Sequence, residues 1–133
     1  MQYLGEEGSS SELKGAVVLS SPWNLDIGNA MLQSTWIGRE IYSNAMAKNL
    51  QRLAEEQHPC LSQVPGLSFD RIRKCKYLHE IDREVQCPTW GYPTEGAYYR
   101  DSTSVDVLLD VRTPLFIINA TDDPVSFSRK ILR

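Results

Sequence analysis

Leu115-Phe116-Ile117-Ile118 is an unbroken apolar run that stops at Asn119 and is followed by two adjacent carboxylates, Asp122 and Asp123, and then Pro124. A strand with one wet face alternates apolar and polar residues, whereas a continuous run is the pattern of a parallel strand covered on both faces. A second run of this kind, Ala16-Val17-Val18-Leu19, stands near the other end of the chain. Parallel strands need a long crossover, and the residues between the two runs supply a largely helical one. The expectation is an α/β chain in which two parallel strands are joined by an enlarged helical crossover. Loops at the carboxyl ends of such strands hold ligands, so Asp122 and Asp123 are the first candidates for chemistry.

The rest of the chain divides into shorter signals. Met1 to Leu4 lacks a helix start, and Gly5 reads as the C′ residue that closes a helix. Ser9 to Ser11 reads as a turn, and Ser21-Pro22-Trp23-Asn24 ends the first strand. From about residue 29 to residue 56 the period becomes helical, with Tyr42, Met46, Leu50 and Leu53 on one face and Lys48, Arg52 and Glu55 on the other. Pro59, Pro65 and Gly66 interrupt it, and residues 69–84 form a second helical segment. A loop with Pro88, Gly91, Pro93 and Gly96 leads to Tyr98-Tyr99-Arg100, where the aromatic rings are expected to pack rather than to face a ligand. There is no internal repeat.

Charge and cysteine usage exclude several classes of function. The chain has 14 Lys+Arg against 17 Asp+Glu, a formal charge of −3, and its longest basic stretch is Arg71-Ile72-Arg73-Lys74-Cys75-Lys76. That balance is wrong for a nucleic-acid binder, and the short stretch reads as a solvated helix face. Cys60, Cys75 and Cys87 are odd in number and widely spaced, with only His58 and His79 to join them, so neither a metal site nor a disulfide framework is expected. They read as reduced, packing thiols of an intracellular protein. No signal-peptide pattern is present, and no apolar run approaches the ~20 residues of a spanning helix. Asn119-Ala120-Thr121 fits a glycosylation acceptor, but at the end of a buried strand it is assigned no such role. Glu6 and Glu7 read as a solvated turn.

Tyr3-Leu4-Gly5-Glu6-Glu7-Gly8, Gly91-Tyr92, Tyr98-Tyr99-Arg100-Asp101 and the closing Asp122-Asp123-Pro124 together resemble one branch of the α/β-hydrolases. That branch contains mammalian α/β-hydrolase-domain esterases and phospholipases, bacterial YheT-like hydrolases and fungal medium-chain fatty acid ethyl ester synthase/esterases. The resemblance implies a partial α/β-hydrolase fold, parallel strands with a helical lid insertion between them. Residues 1–133 would be a C-terminal-half fragment of one domain, with the lid at about 29–100 and the acid-bearing strand at about 114–119. Trp36, Tyr42, Trp90 and Tyr92 then belong to a lid over an acyl pocket. The implied parent is a serine esterase, lipase or alcohol O-acyltransferase that acts on medium-chain acyl esters or lipids through an acyl-enzyme, with water or an alcohol as acceptor and no cofactor or metal.

In this superfamily the triad runs serine, acid, histidine along the chain. No Gly-x-Ser-x-Gly occurs here, and neither His58 nor His79 follows the terminal acids, so nucleophile and histidine are absent. The acid of such enzymes closes a Gly/Ala-x-x-Asp turn, and counting from Ala120 the fourth position is Asp123. A strand end shifted by one residue would select Asp122 instead. The chain alone is expected to be inactive, and any membrane or lipid-droplet association would run through segments outside it. The alternative from a different class is a non-catalytic truncated homologue that acts as a binding or regulatory protein.

Overall fold

The computed structural model describes residues 1–120 and residue 123, so Asp122 lies outside the described residues. The chain forms two compact units, one from Met1–Gly28 together with the chain from Tyr99 onward, the other from Asn29–Tyr98.

In the first unit β1 (Ala16–Leu19) and β2 (Leu115–Ile118) pair in parallel, with Ala16 opposite Leu115 and Leu19 opposite Ile118. The ladder is extended at both ends, where Ala16 N–H donates to the Pro114 carbonyl at 2.9 Å and Ser20 N–H to the Ile118 carbonyl at 2.8 Å. Parallel strands around a helical insertion are therefore present as the apolar runs predict. The expected cover on both faces is not. Val17, Leu19 and Phe116 are each more than 60% exposed, at 64%, 65% and 63%, and Ile118 is 50% exposed. Among the described residues the sheet has only these two strands, and two strands are too few to hold a layer over each face.

The opening segment corrects a second expectation. Helix α1 (Gln2–Glu7) runs through Gly5 and ends at Gly8, whose φ of 51° and N–H bond to the Leu4 carbonyl make it the closing glycine. Gly5 has another purpose: a Cβ there would overlap the carbonyl oxygen and side chain of Val107. Its missing side chain lets α1 approach a segment a hundred residues away in sequence. Helix α2 (Leu25–Ser34) also begins before residue 29, because Asn24 Oδ1 accepts the Ile27 N–H at 2.9 Å and caps it. Thr103 then fastens this start, since its hydroxyl accepts the Leu25 N–H at 3.3 Å and donates to the Tyr99 carbonyl at 2.7 Å.

The second unit is helical. A π-helical turn, Gly38–Ser43, leads into α3 (Asn44–Glu56), followed by α4 (His58–Leu61), α5 (Phe69–Ile72), α6 (Leu78–Ile81), a π-helical segment Asp82–Gln86 and α7 (Cys87–Trp90). Helix α8 (Glu95–Asp101) closes the unit and continues into the first. Its core is Ala47, Ala54, Ile72 and Ile81, with Leu50, Leu61, Phe69 and Val85 packed around it.

The packed stripe of α3 is Ala47, Leu50, Gln51 and Ala54, not the stripe of Tyr42, Met46, Leu50 and Leu53 that the period predicts; Tyr42 is 44% and Leu53 51% exposed. Two causes act together. The π turn closes i→i+5 hydrogen bonds and so takes more residues per turn than an α-helix, which puts Tyr42 out of phase with the residues after Asn44. The small alanines also let the α3 backbone come close, while Gln51 Nε2 donates to the Ile72 and Cys75 carbonyls at 2.7 and 2.8 Å. The same amide explains why residues 69–84 are not one helix. It takes carbonyls at the break, and the Glu80 carboxylate accepts the N–H groups of Lys76 and Tyr77 at 2.6 and 3.0 Å. Local side-chain partners thus replace the helical ladder between α5 and α6.

Candidate functional site

The site is built from the carboxyl ends of β1 and β2. After Leu19 the chain turns through Ser20, the one non-glycine residue with positive φ (44°) among the described residues. Such a conformation is costly for a side-chain-bearing residue and persists where surrounding bonds hold it. Here the Ser20 N–H is held by the Ile118 carbonyl, and Asn119 Nδ2 donates to the Ser21 carbonyl at 3.4 Å. Asn119 Oδ1 is buried without a hydrogen-bond partner. These contacts join the two strand ends just before the segment that carries Asp123. Asp123 itself is half-buried and has a polar partner. Neither Ser20 nor Asn119 was singled out for this place from the sequence; the signal available was a Ser-Ser-Pro and an Asn directly after two apolar runs.

The remaining candidates fall elsewhere. Tyr99 is buried, and the Tyr92 and Tyr98 rings lie 5.6 Å apart, which is packing geometry. Glu6 and Glu7 are exposed at the end of α1. His79 Nδ1 meets Gln33 Nε2 at 3.1 Å, and His58 lies against the Phe69 ring with centroids 4.1 Å apart. All three cysteines are free thiols. Burial pushes the Cys75 thiol up to about 11, helped by Glu80 and Glu84, and pushes Cys87 up as well. Thiols so shifted are poor nucleophiles at neutral pH. Trp36 and Trp90 are 66% and 69% exposed.

The charged residues of the second unit are engaged with one another. Arg71 pairs with Glu84 at 2.6 Å, Arg73 with Glu55 at 2.7 Å and Asp70 at 3.2 Å, and Lys76 with Glu40 at 3.0 Å. Glu40 also accepts the Tyr77 hydroxyl at 2.7 Å and Arg39 Nε at 2.9 Å. Tyr77, Lys76 and Arg39, in that order, hold the Glu40 carboxyl down at about 2. Arg83 forks onto both oxygens of Glu95 and holds that carboxyl at about 2 too. Among the described residues no group of His, Cys, Asp and Glu converges to hold a metal ion, and no helix is long and apolar enough to cross a membrane.

The same unit contains an uncharged groove of about 310 Å³. Leu50, Leu53, Leu61, Ile81 and Val85 form its walls, with Cys60 beside them.

Comparison with known proteins fits this architecture. The chain is 28% identical to medium-chain fatty acid ethyl ester synthase/esterase 2 of Saccharomyces cerevisiae, over 92% of this chain and 32% of that protein. It is 28% identical to the monoacylglycerol lipase of Saccharomyces cerevisiae, over 92% of this chain and 28% of that one. With mouse phospholipase ABHD3 the identity is 28% over 98% of this chain and 31% of the relative. The chain thus spans about a third of the length of the curated relatives it matches. No protein-family model and no solved structure matches it. The relatives place the chain in the α/β-hydrolase superfamily, and its parallel strands with a helical insertion between them are a partial α/β-hydrolase fold.

Proposed function

We propose that the chain supplies the acid-bearing strand and the lid of a serine esterase, lipase or alcohol O-acyltransferase acting on medium-chain acyl esters. The observation that supports this most is that Asp123 follows, five residues on in the sequence, a parallel strand whose tip is bonded to its neighbour's. The names of the relatives, an ester synthase/esterase, a monoacylglycerol lipase and a phospholipase, supply the substrate class.

In the complete enzyme a serine hydroxyl, provided outside these residues, attacks the ester carbonyl while a histidine takes its proton. The histidine returns that proton to the departing alkoxide, leaving an acyl-enzyme. Water or an alcohol then attacks the acyl group by the same route, which yields acid or a new ester. Asp123 accepts the hydrogen bond of the second imidazole N–H, fixes its tautomer and stabilises the imidazolium. Unit 2, residues 29–98, is the lid, and its exposed Trp36, Tyr42 and Trp90 offer apolar surface to the acyl chain.

In the complete enzyme, Asp123→Asn is expected to lower turnover by roughly 10⁴ with the fold intact, as a mis-tautomerised histidine does in the triad template. Asp122→Asn is expected to be mild, and the reverse pattern would move the acid to Asp122. Met46→Ala or Leu50→Ala is expected to change the preference among acyl lengths; an equal loss on every length would remove the lid role. The isolated chain is expected to leave a serine-reactive phosphonate unreacted, and stoichiometric labelling of one of its serines would overturn the assignment.

A further inference from the structure

Asn119 is the residue at which the apolar run of β2 stops, and folding alone does not account for its side chain. Its Nδ2 donates to the Ser21 carbonyl at 3.4 Å, a long bond, while its Oδ1 is buried with no hydrogen-bond partner among the described residues. The amide cannot be turned over, because Oδ1 would then face the Ser21 carbonyl oxygen. A buried acceptor left unpaired costs more than a long neutral hydrogen bond returns, and a fifth apolar residue would simply have continued Leu115-Phe116-Ile117-Ile118. Polar groups kept at such a cost mark places where a site, and not the fold, sets the residue.

We infer that Asn119 is a positioning residue, which pins the root of the acid-bearing turn to the chain leaving β1. Two bonds form the clamp. Ser20 N–H donates to the Ile118 carbonyl at 2.8 Å, and one residue further along each strand Asn119 reaches the Ser21 carbonyl. Ser20, with its φ of 44°, stands between these contacts, so the strained residue of the region lies inside the clamp. The chain then leaves for Asp123 from a fixed point. The four residues from Asn119 to Asp123 can span up to about 14 Å, and a root free to swing would move the carboxylate by more than the ~1 Å misplacement that already cripples catalysis. The inference rests on the reading of Asp123, or of Asp122 in its place, as the triad acid.

The test is a double-mutant cycle in the complete enzyme, with hydrolysis of p-nitrophenyl decanoate followed as kcat and KM. Asn119→Leu is close in volume and removes the unpaired acceptor together with the donor, so the transition temperature is expected to stay within about 2 °C of the unsubstituted enzyme. Its kcat is expected to fall about 10²-fold with KM unchanged. Asp123→Asn is expected to lower kcat by roughly 10⁴, and adding Asn119→Leu to it to lower kcat no further, because a residue that acts only through the acid has nothing left to position. Asn119→Asp, isosteric but without a donor at neutral pH, is the second variant and is expected to match Asn119→Leu. Full turnover in both Asn119 variants beside an inactive Asp123→Asn would overturn the inference alone. So would a double variant slower than Asp123→Asn by about another 10²-fold, since independent losses multiply. A loss in Asn119→Leu explained by a lowered transition temperature, with full turnover in Asn119→Asp, would overturn it too. Where Asp122→Asn and not Asp123→Asn abolishes turnover, the cycle is run on Asp122 with the same non-additivity expected. Turnover that survives both aspartate substitutions would overturn the triad-acid reading and this inference with it.

Discussion

The two units solve the same problem, covering apolar surface, with opposite results. Unit 2 buries Ala47, Ala54, Ile72 and Ile81 together and gives its interior polar groups partners: Ser43 Oγ accepts the Leu78 N–H at 2.9 Å, and Gln51 bonds two carbonyls. Unit 1 packs Leu4, Trp23 and Tyr99 but presents Val17, Leu19, Phe116 and Ile118 from its sheet to solvent. Helices close a small core by wrapping one apolar stripe each, whereas a two-stranded sheet has two faces and free edges. The same residues therefore carry different energetic weight according to the unit that holds them.

Truncation at the buried centre of unit 2 should show the largest stability effect. Ile72→Ala or Ile81→Ala is expected to cost about 2–5 kcal/mol, the range for emptying a fully packed aliphatic site. The check is thermal unfolding followed by circular dichroism; a loss below about 1 kcal/mol would mean that unit 2 is no better packed than the sheet.

Next comes Gly5→Ala, which puts a methyl group into Val107 and is expected to cost about 1–3 kcal/mol, despite the better helix propensity of alanine. A stabilising Gly5→Ala would show that α1 does not hold its place against Val107. Asn24→Ala removes the cap of α2 and should cost about 1 kcal/mol by the same measurement.

The acid response should belong to unit 2. Glu40 and Glu95 have folded pKa values depressed to about 2, so the stabilisation from their ion pairs is fully present above the ordinary glutamate range and is lost as pH falls from about 4.5 through 2. Surface pairs of this kind are individually weak. The transition temperature should therefore decline gently over that window, and Glu95→Gln should flatten the decline. An unchanged pH profile in Glu95→Gln would separate that pair from folding.

Smallest of all, Phe116→Thr on the open sheet face should shift stability by no more than about 0.5 kcal/mol, because a side chain 63% exposed loses little on removal. Its effect should appear instead as reduced self-association in light scattering, since an exposed apolar strand pair invites pairing with another chain. A loss of stability comparable to that of Ile81→Ala would mean that the face is covered.

Both strands were legible because a continuous apolar run is a local property, and their parallel direction followed from the long helical stretch between them, whereas their direct pairing was visible only in the structure. The candidate site was legible only in part. A carboxylate after a strand marks the place where a ligand-facing loop begins, but the turn at Ser20 and the bond from Asn119 to Ser21 depend on two strand ends that are ninety-eight positions apart in sequence. No window of neighbouring residues contains that information.

What the amino-acid order determined by itself is thus the identity of β1 and β2 and the helical character of the insertion. Period, apolar run length and turn residues act within a few residues, where backbone sterics and side-chain spacing suffice. Only the tertiary structure decided which stripe of α3 is buried, why Gly5 is a glycine and where residues 69–84 break. Each of these rests on a contact between distant segments, Ala47 and Ala54 with Ile72 and Ile81, Gly5 with Val107, Gln51 with the carbonyls of Ile72 and Cys75. Such contacts override local periodicity because close packing and a satisfied buried carbonyl are worth more than the few tenths of a kcal/mol by which one helical phase is preferred to another.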